Sequence, residues 1–152
     1  PHAEALIIGR KPPKVLMAKV RELGLRFHFT GFVDDIRPFM QTGHVALIPL
    51  RVGSGTRIKA FEALALGKPV VSTTLGVEGL DLQPGKHYAR ADTAASFADA
   101  VLRLLDDPAG GAGMAKAARE LLEKRFSWAQ VARQLETICL ATLARKSESV
   151  LI

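Results

Sequence analysis

Short apolar runs and stretches of helical periodicity alternate along the first part of this chain. "ALIIG" (Ala5–Gly9) is a continuous apolar run that stops at glycine. Pro12 and Pro13 can open a helix, because proline is tolerated in a first turn. That helix is expected over Val15 to Leu23, with Val15, Leu16, Val20 and Leu23 inward and Gly24 as its stop. "RFHFT" alternates polar and apolar positions, as a half-buried strand does. "GFVDD" is a turn leading to a short helix over Ile36–Thr42, capped by Asp35 and with Pro38 near its start. "HVALIPL", "PVVST" and "HYAR" are the third, fourth and fifth strands. Between the third and fourth lies a helix with Ile58, Phe61, Ala65 and Leu66 on one apolar arc, at about 100° per residue. Glu62 falls inside that arc, a carboxylate where packing is expected.

Beyond Asp92 the pattern is helical throughout. Thr93–Asp107 carries Phe97, Val101, Leu104 and Leu105 at helical spacing, and "DDPAGGAG" is expected to break it. Met114–Lys124 and Trp128–Arg145 follow, the latter capped by Ser127, with Phe126, Trp128 and Val131 as core contacts. Residues 147–152 are expected to be a flexible tail, leaving 1–146 as one domain. Strands alternating with helices predict right-handed crossovers and a parallel, Rossmann-like α/β sheet flanked by helices. The fully apolar "PVV" suits a strand covered on both faces. Ligands of such sheets sit at the C-terminal strand ends. "GFVDD" and "RVGSGT" therefore belong to the binding edge, and "LGKP" to the opposite one.

Composition changes this picture little. With 152 residues, 48% hydrophobic and 24% charged, the chain is an ordinary globular domain. Its apolar runs are too short to span a bilayer. A single cysteine, Cys139, rules out an internal disulfide and suits a reducing, cytoplasmic setting. Charge is more informative. Of the net +6, all lies in residues 1–68, with 11 Lys and Arg against 5 Asp and Glu; the remainder holds 10 against 10. The excess would attract phosphates, nucleic acid or an anionic lipid surface, or would simply be a solubilising surface with no partner. The charges form no long run and do not alternate with aromatics, which argues against a nucleic-acid partner.

The candidate chemistry centres on "VGSGTR". Gly53 and Gly55 allow a tight turn with uncovered N–H groups, and the first N–H groups of the following helix lack internal partners. This is a phosphate site by construction, with Arg57 and Lys59 beside it. The plain alternative is a tight turn capped by Thr56. Glu62 has its own alternatives, an ion pair with Lys59 or a backbone hydrogen bond. The functional reading gives it two vicinal hydroxyls, as on a ribose, since an unpaired buried carboxylate is costly. Phosphate at the helix start and ribose one turn along describe a nucleotide. His2, His28, His44 and His87 lack metal spacing, and the pairs Asp34–Asp35 and Asp106–Asp107 lack the Asp-x-Asp spacing. Asp34 and Asp35 read as helix caps, and Glu78 either lines a sugar site or belongs to a solvated loop.

The stretch "GSGTRIKAFEALALGKPVVSTTLGVEGL" resembles the C-terminal, donor-binding half of retaining glycosyltransferases of the two-domain GT-B architecture, family 4 or group 1. "ALIIG", "FTGFVDDIRPFM", "HVALIPL" and "SFADAVLRLLDDP" extend the resemblance over roughly residues 4–140, with "KAFEALALGKPVV" its most specific part. It implies transfer of a sugar from a nucleoside diphosphate to an acceptor hydroxyl, with the nucleotide sugar as substrate, no cofactor and no metal. It assigns the donor ribose to Glu62, the diphosphate to Ser54, Gly55 and Thr56, and the base to Phe32 and Val33. Charge from Arg57 and Lys59 joins the diphosphate site. Two departures stand out. The family often places a second glutamate eight residues before the ribose one, where this chain has Ser54. Its usual diphosphate Arg and Lys follow a strand preceding "ALIIG", so the first strand of the family domain is expected to be missing here. The resemblance also implies that an N-terminal domain supplies the acceptor site and the catalytic groups. The 152 residues alone are then expected to be inactive and to form homo-oligomers through an incomplete sheet. The rival readings are a non-catalytic Rossmann-like binding module and a dinucleotide-dependent oxidoreductase domain. For the latter, Gly53-Ser54-Gly55 begins like G-x-G-x-x-G, but Ile58 stands at the sixth position and the turn follows the wrong strand.

Overall fold

All five predicted strands form in the computed structural model, which describes residues 3–149. The order is β1 (Ala5–Ile7), α1 (Lys14–Glu22), β2 (Phe27–Phe29), α2 (Arg37–Thr42), β3 (Ala46–Ile48), α3 (Ile58–Ala65) and β4 (Val70–Ser72). A 3-10 turn (Leu75–Val77), β5 (Ala89–Arg90), α4 (Ala94–Asp106), α5 (Pro108–Phe126) and α6 (Trp128–Ser149) complete it. Every strand pairing is parallel, with Ala5 opposite Phe27, Ala46 opposite Val70 and Val71 opposite Ala89. The strands do not make one sheet. β1 and β2 form one ladder, and β3, β4 and β5 form another with β4 in the middle.

Burial follows from that arrangement. β4 is flanked on both sides and buried along its length. Its alternating side chains feed two cores, as strand geometry requires. Val70 joins Ala60, Ala63 and Leu64 of α3 with Ala118 and Leu122 of α5. Val71 joins Ala91 and Ala100, with Phe97, Val101 and Leu104 of α4 packed against them. α4 starts at a reciprocal cap in which Thr93 and Ser96 each accept the other's backbone N–H.

Four expectations are corrected. The buried face of α3 is Ala60, Ala63 and Leu64, and Ile58 and Ala65 are exposed on the other side. Small alanines let the helix approach α5 and the sheet closely, so Ile58 and Ala65 turn outward; Phe61 stays half-buried against the core and meets Phe126 edge-on at 5.7 Å. Glu62 therefore does not interrupt the core face. In α1 only Val20 is buried, while Val15 and Leu23 are exposed, because none of the described residues covers that side of the helix. "DDPAGGAG" begins a helix as well as ending one. Asp107 accepts the N–H of Gly110 at 2.9 Å, and Pro108 occupies a first-turn position where its missing N–H costs nothing. Gly111 is buried there, since a Cβ would lie 3.2 Å from Pro69 Cγ. Finally, Trp128 is 88% exposed and Val131 is exposed as well, while Phe126 keeps its edge contact with Phe61 and is otherwise open. The cap by Ser127 on the N–H of Gln130 is present, and α6 runs four residues past the expected end at Arg145.

Candidate functional site

The strands run parallel within each ladder, so the segments after β3, β4 and β5 share one edge and the segment after β2 lies at the corresponding end of its own ladder. "RVGSGT" and "GFVDD" thus both follow C-terminal strand ends, one in each ladder. Gly9 N–H donates to Gly31 O at 3.1 Å and ties the ends of β1 and β2 together. At the opposite edge Lys68 Nζ donates to the carbonyls of Gln41 and Gly43, at 2.7 and 2.9 Å, a structural use of one of the excess cations.

The glycine turn after β3 leaves Ser54, Gly55 and Thr56 exposed. Gly55 has φ +89°, a conformation open to glycine without strain. Thr56 does not cap α3; the N-cap position is Arg57 and no side chain caps the helix. The first-turn N–H groups of α3 are thus left without a side-chain acceptor. Lys59 is exposed beside them.

Arg57 sits beneath the turn, where the sequence placed it only beside it. Its side chain is 7% exposed, and Nη2 donates to Glu78 Oε2 at 3.0 Å and more weakly to Gly53 O at 3.4 Å. Its Nε is buried with no partner. A buried donor without an acceptor is costly enough to demand a reason. Glu62 is half-buried, and among the described residues its side chain makes neither a hydrogen bond nor an ion pair. The Lys59 pair that would explain it structurally is not formed.

On the β2 side, Phe32 is 59% exposed with the guanidinium of Arg10 4.0 Å above its ring. Val33 is half-buried. Asp35 accepts from Arg37 N and Nε, both at 2.9 Å, and these bonds hold its carboxyl below the usual range. The N-cap of α2 is Ile36, without a side-chain cap, and Asp35, one residue before it, instead accepts the N–H of the first helical residue. The histidines are structural or peripheral. His28 faces Glu4 at 3.1 Å, His44 is exposed, and buried His87 accepts from Gln83 N–H at 3.0 Å through Nδ1. Burial, followed by the nearby Lys86 charge, pushes His87 toward its neutral form. His2 lies outside the described residues. Among the described residues no group of three or more His, Cys, Asp or Glu could hold a metal ion, and no helix is long and apolar enough to cross a membrane.

Two cavities open at the ends of β3, β4 and β5. The larger, about 580 Å³, is lined by Leu50, Arg51, Thr73, Thr74, Glu78 and Asp92 among others. The smaller, about 350 Å³, shares Arg51, Thr73 and Asp92 and adds Phe97. Asp92 accepts from Thr74 N at 2.7 Å and Thr74 Oγ1 at 2.9 Å, and the backbone bond chiefly lowers its carboxyl pKa. Ser54, Gly55, Thr56, Lys59, Glu62, Phe32 and Val33 line neither cavity. Arg57 connects the turn to a cavity wall through Glu78, and Leu50 of that wall lies against Gly53. Arg51, Thr73, Thr74 and Asp92 were missed by motif reasoning. Their signal was position alone, at the ends of β3, β4 and β5.

Parallel strands, an uncapped helix behind a glycine turn and cavities at the strand ends define a Rossmann-like domain with its ligand edge intact. The family model for group 1 glycosyl transferases matches residues 1–107, and the chain belongs to that family of glycosyltransferases. It is 38% identical over 130 residues to a 2-deoxystreptamine glucosyltransferase of Streptomyces kanamyceticus, covering 80% of this chain and 33% of that protein. It is 39% identical over 118 residues to a glycogen synthase of Mycobacterium tuberculosis, covering 74% of this chain and 28% of that protein. The chain thus spans about a third of the length of these relatives. Its fold is that of Anabaena HepE in complex with UDP, with a TM-score of 0.82 at 22% identity over 93% of this chain and 42% of that one. The C-terminal domain of a group 1 glycosyl transferase from Francisella tularensis gives a TM-score of 0.72 at 21% identity, over 82% of this chain and 70% of that one.

Proposed function

We propose that this domain binds the donor of a glycosyltransferase, a sugar carried on a nucleoside diphosphate. The observation that carries the reading is Arg57: a buried guanidinium whose Nε lacks an acceptor, set at the uncapped start of α3. A diphosphate there receives first-turn N–H bonds, the helix dipole and charge from Arg57 and Lys59. Glu62, one turn along, accepts from the ribose hydroxyls, and Phe32 and Val33 lie against the base. The complexes of HepE with UDP and with UDP-glucose support this class of ligand.

In the reaction, the bond from the sugar's anomeric carbon to the diphosphate oxygen breaks. A bond to the acceptor oxygen forms with retained configuration, and the acceptor hydroxyl loses its proton. This domain's part is to hold the leaving diphosphate and stabilise its growing charge. An N-terminal domain supplies the acceptor site, and neither cofactor nor metal is needed. The enzyme works in the cytoplasm, and its basic surface suits contact with an anionic membrane. The 152 residues alone transfer no sugar and self-associate through the open edges of β1 and β3, which sizing chromatography with light scattering would detect.

A thermal-shift panel of UDP, GDP, ADP, dTDP and NAD on the full-length protein tests the reading. One nucleoside diphosphate should raise the Tm clearly and NAD should not. Stabilisation by NAD alone, or by none of the five, would refute it.

A further inference from the structure

The larger cavity remains without an occupant once phosphate, ribose and base are placed. Its polar lining is rich in acceptors. Glu78, Asp81 and Asp92 contribute carboxylates, Thr73 and Thr74 hydroxyls, and Arg51 the cation. Three carboxylates repel a phosphate but suit a ligand bearing many O–H donors. Asp81 is paired with Arg125 through Oδ2. Glu78 is the best placed of the three. Its Oε2 is fixed by the buried Arg57, while Oε1 has no protein partner among the described residues. Both oxygens of Asp92 already accept from Thr74, so Asp92 braces the far wall and has only second lone pairs to offer.

The cavity's position supplies the link to the donor. Arg57 is the N-cap residue of α3, and the same guanidinium contacts Glu78. The wall formed by Glu78 is therefore one ion pair away from the start of that helix. A group attached beyond a diphosphate at this helix start can enter the cavity. Gly76 makes the arrangement tight from below: a Cβ there would meet Ser72 Oγ at 2.3 Å, so the turn carrying Glu78 lies directly on β4.

We propose that Glu78 is a specificity-determining residue of the donor site. Arg57 orients its carboxylate through Oε2, and Oε1 accepts a hydroxyl of the donor sugar bound in the larger cavity. The proposal rests on the donor-binding reading above, and it gives Arg57 a second task, orienting the sugar's acceptor group as well as meeting the diphosphate.

Calorimetry on the full-length protein separates the two readings, with UDP and UDP-glucose as one pair of probes and GDP and GDP-mannose as the other. Wild-type binding of either nucleoside diphosphate tests the donor reading. Glu78→Gln keeps the size of the side chain and an oxygen for Arg57. It should weaken the nucleotide sugar about tenfold while leaving the matching nucleoside diphosphate within about twofold. Asp92→Asn, on the other wall, should give a smaller loss with the same selectivity. Equal losses for sugar-bearing and sugar-free nucleotide in Glu78→Gln would make Glu78 only a brace for Arg57 and overturn the proposal. So would a sugar-selective loss in Ser54→Ala with none in Glu78→Gln, which would move the sugar to the glycine turn. A wild-type protein that binds the diphosphate no more weakly than the nucleotide sugar, with both variants unchanged, would leave the cavity without a sugar and also refute it.

Discussion

Replacing Glu62 by Gln isolates the ribose contact, because the structure removes the usual confusion with stability. The side chain is half-buried, lies away from the Ala60–Ala63–Leu64 face and has no protein partner among the described residues. Losing its charge breaks no protein contact, so the midpoint of urea unfolding should hardly move. The ligand loses more. Hydrogen bonds to a charged group contribute about 1.5–3 kcal/mol. At about 1.4 kcal/mol per decade, this is roughly a ten- to hundredfold rise in Kd for the nucleoside diphosphate. The 2′-deoxy form of the nucleotide provides the decisive control. If Glu62 grips the ribose hydroxyls, the variant should bind ribo- and deoxyribonucleotide nearly alike, while the wild type should prefer the former. Calorimetry on the full-length protein reads all four affinities. An unchanged Kd in Glu62→Gln, or an undiminished preference for the ribonucleotide, would refute the assignment. A parallel loss of affinity and of unfolding midpoint would instead make Glu62 a structural residue.

Lys59→Ala should weaken a nucleoside diphosphate more than its nucleoside, and the difference should shrink as salt rises, since Lys59 is exposed. The same comparison for Arg57→Ala should keep most of its difference in salt, because the guanidinium is buried; equal losses for nucleotide and nucleoside would count against both. Gly76→Ala should cost about 1–3 kcal/mol by overpacking, since the new Cβ would meet Ser72 Oγ at 2.3 Å and both Ile48 Cγ2 and O at 2.9 Å; urea denaturation measures it. For His87, burial depresses the folded pKa below the ordinary 6.5. Its contribution to stability is complete above pH 6.5 and is lost as pH falls from there through the folded value, because the unfolded chain takes the proton more readily. Protonation also removes the acceptor of the Gln83 N–H, and a Tm profile across this range should flatten in His87→Asn.

The elements and the family were largely legible because they rest on short-range patterns. Strand identity came from apolar runs, and the glycine turn, the Thr93 helix start and the Ser127 cap from residues that act on their own backbone. Packing faces were less legible. The arc of Ile58, Phe61, Ala65 and Leu66 outscored the true face on hydrophobicity, but tight approach to α5 selected the small Ala60 and Ala63. Pro108 with Gly110, Gly111 and Gly113 reads as a breaker until Pro69 is seen against Gly111. The Arg57–Glu78 pair spans twenty-one residues and belongs to no local pattern. Asp92 and Thr74 are likewise joined only by the register of β4 and β5.

The uneven placement of the core has a consequence for how the molecule opens. Ahead of Arg57, Val20 is the one buried hydrophobic residue among those described, whereas both core clusters are anchored from Ala60 onward. Opening of β1, α1 and β2 exposes little apolar surface, so it should occur without disturbing β4. In hydrogen exchange the amide of Ala5, bonded to Arg26 O, should lose its proton well before those of β4. A nucleotide reaching from Glu62 to Phe32 would join the loosely held ladder to the firm one. Occupancy should then slow exchange most in β1 and β2, and least in β4, which is already closed.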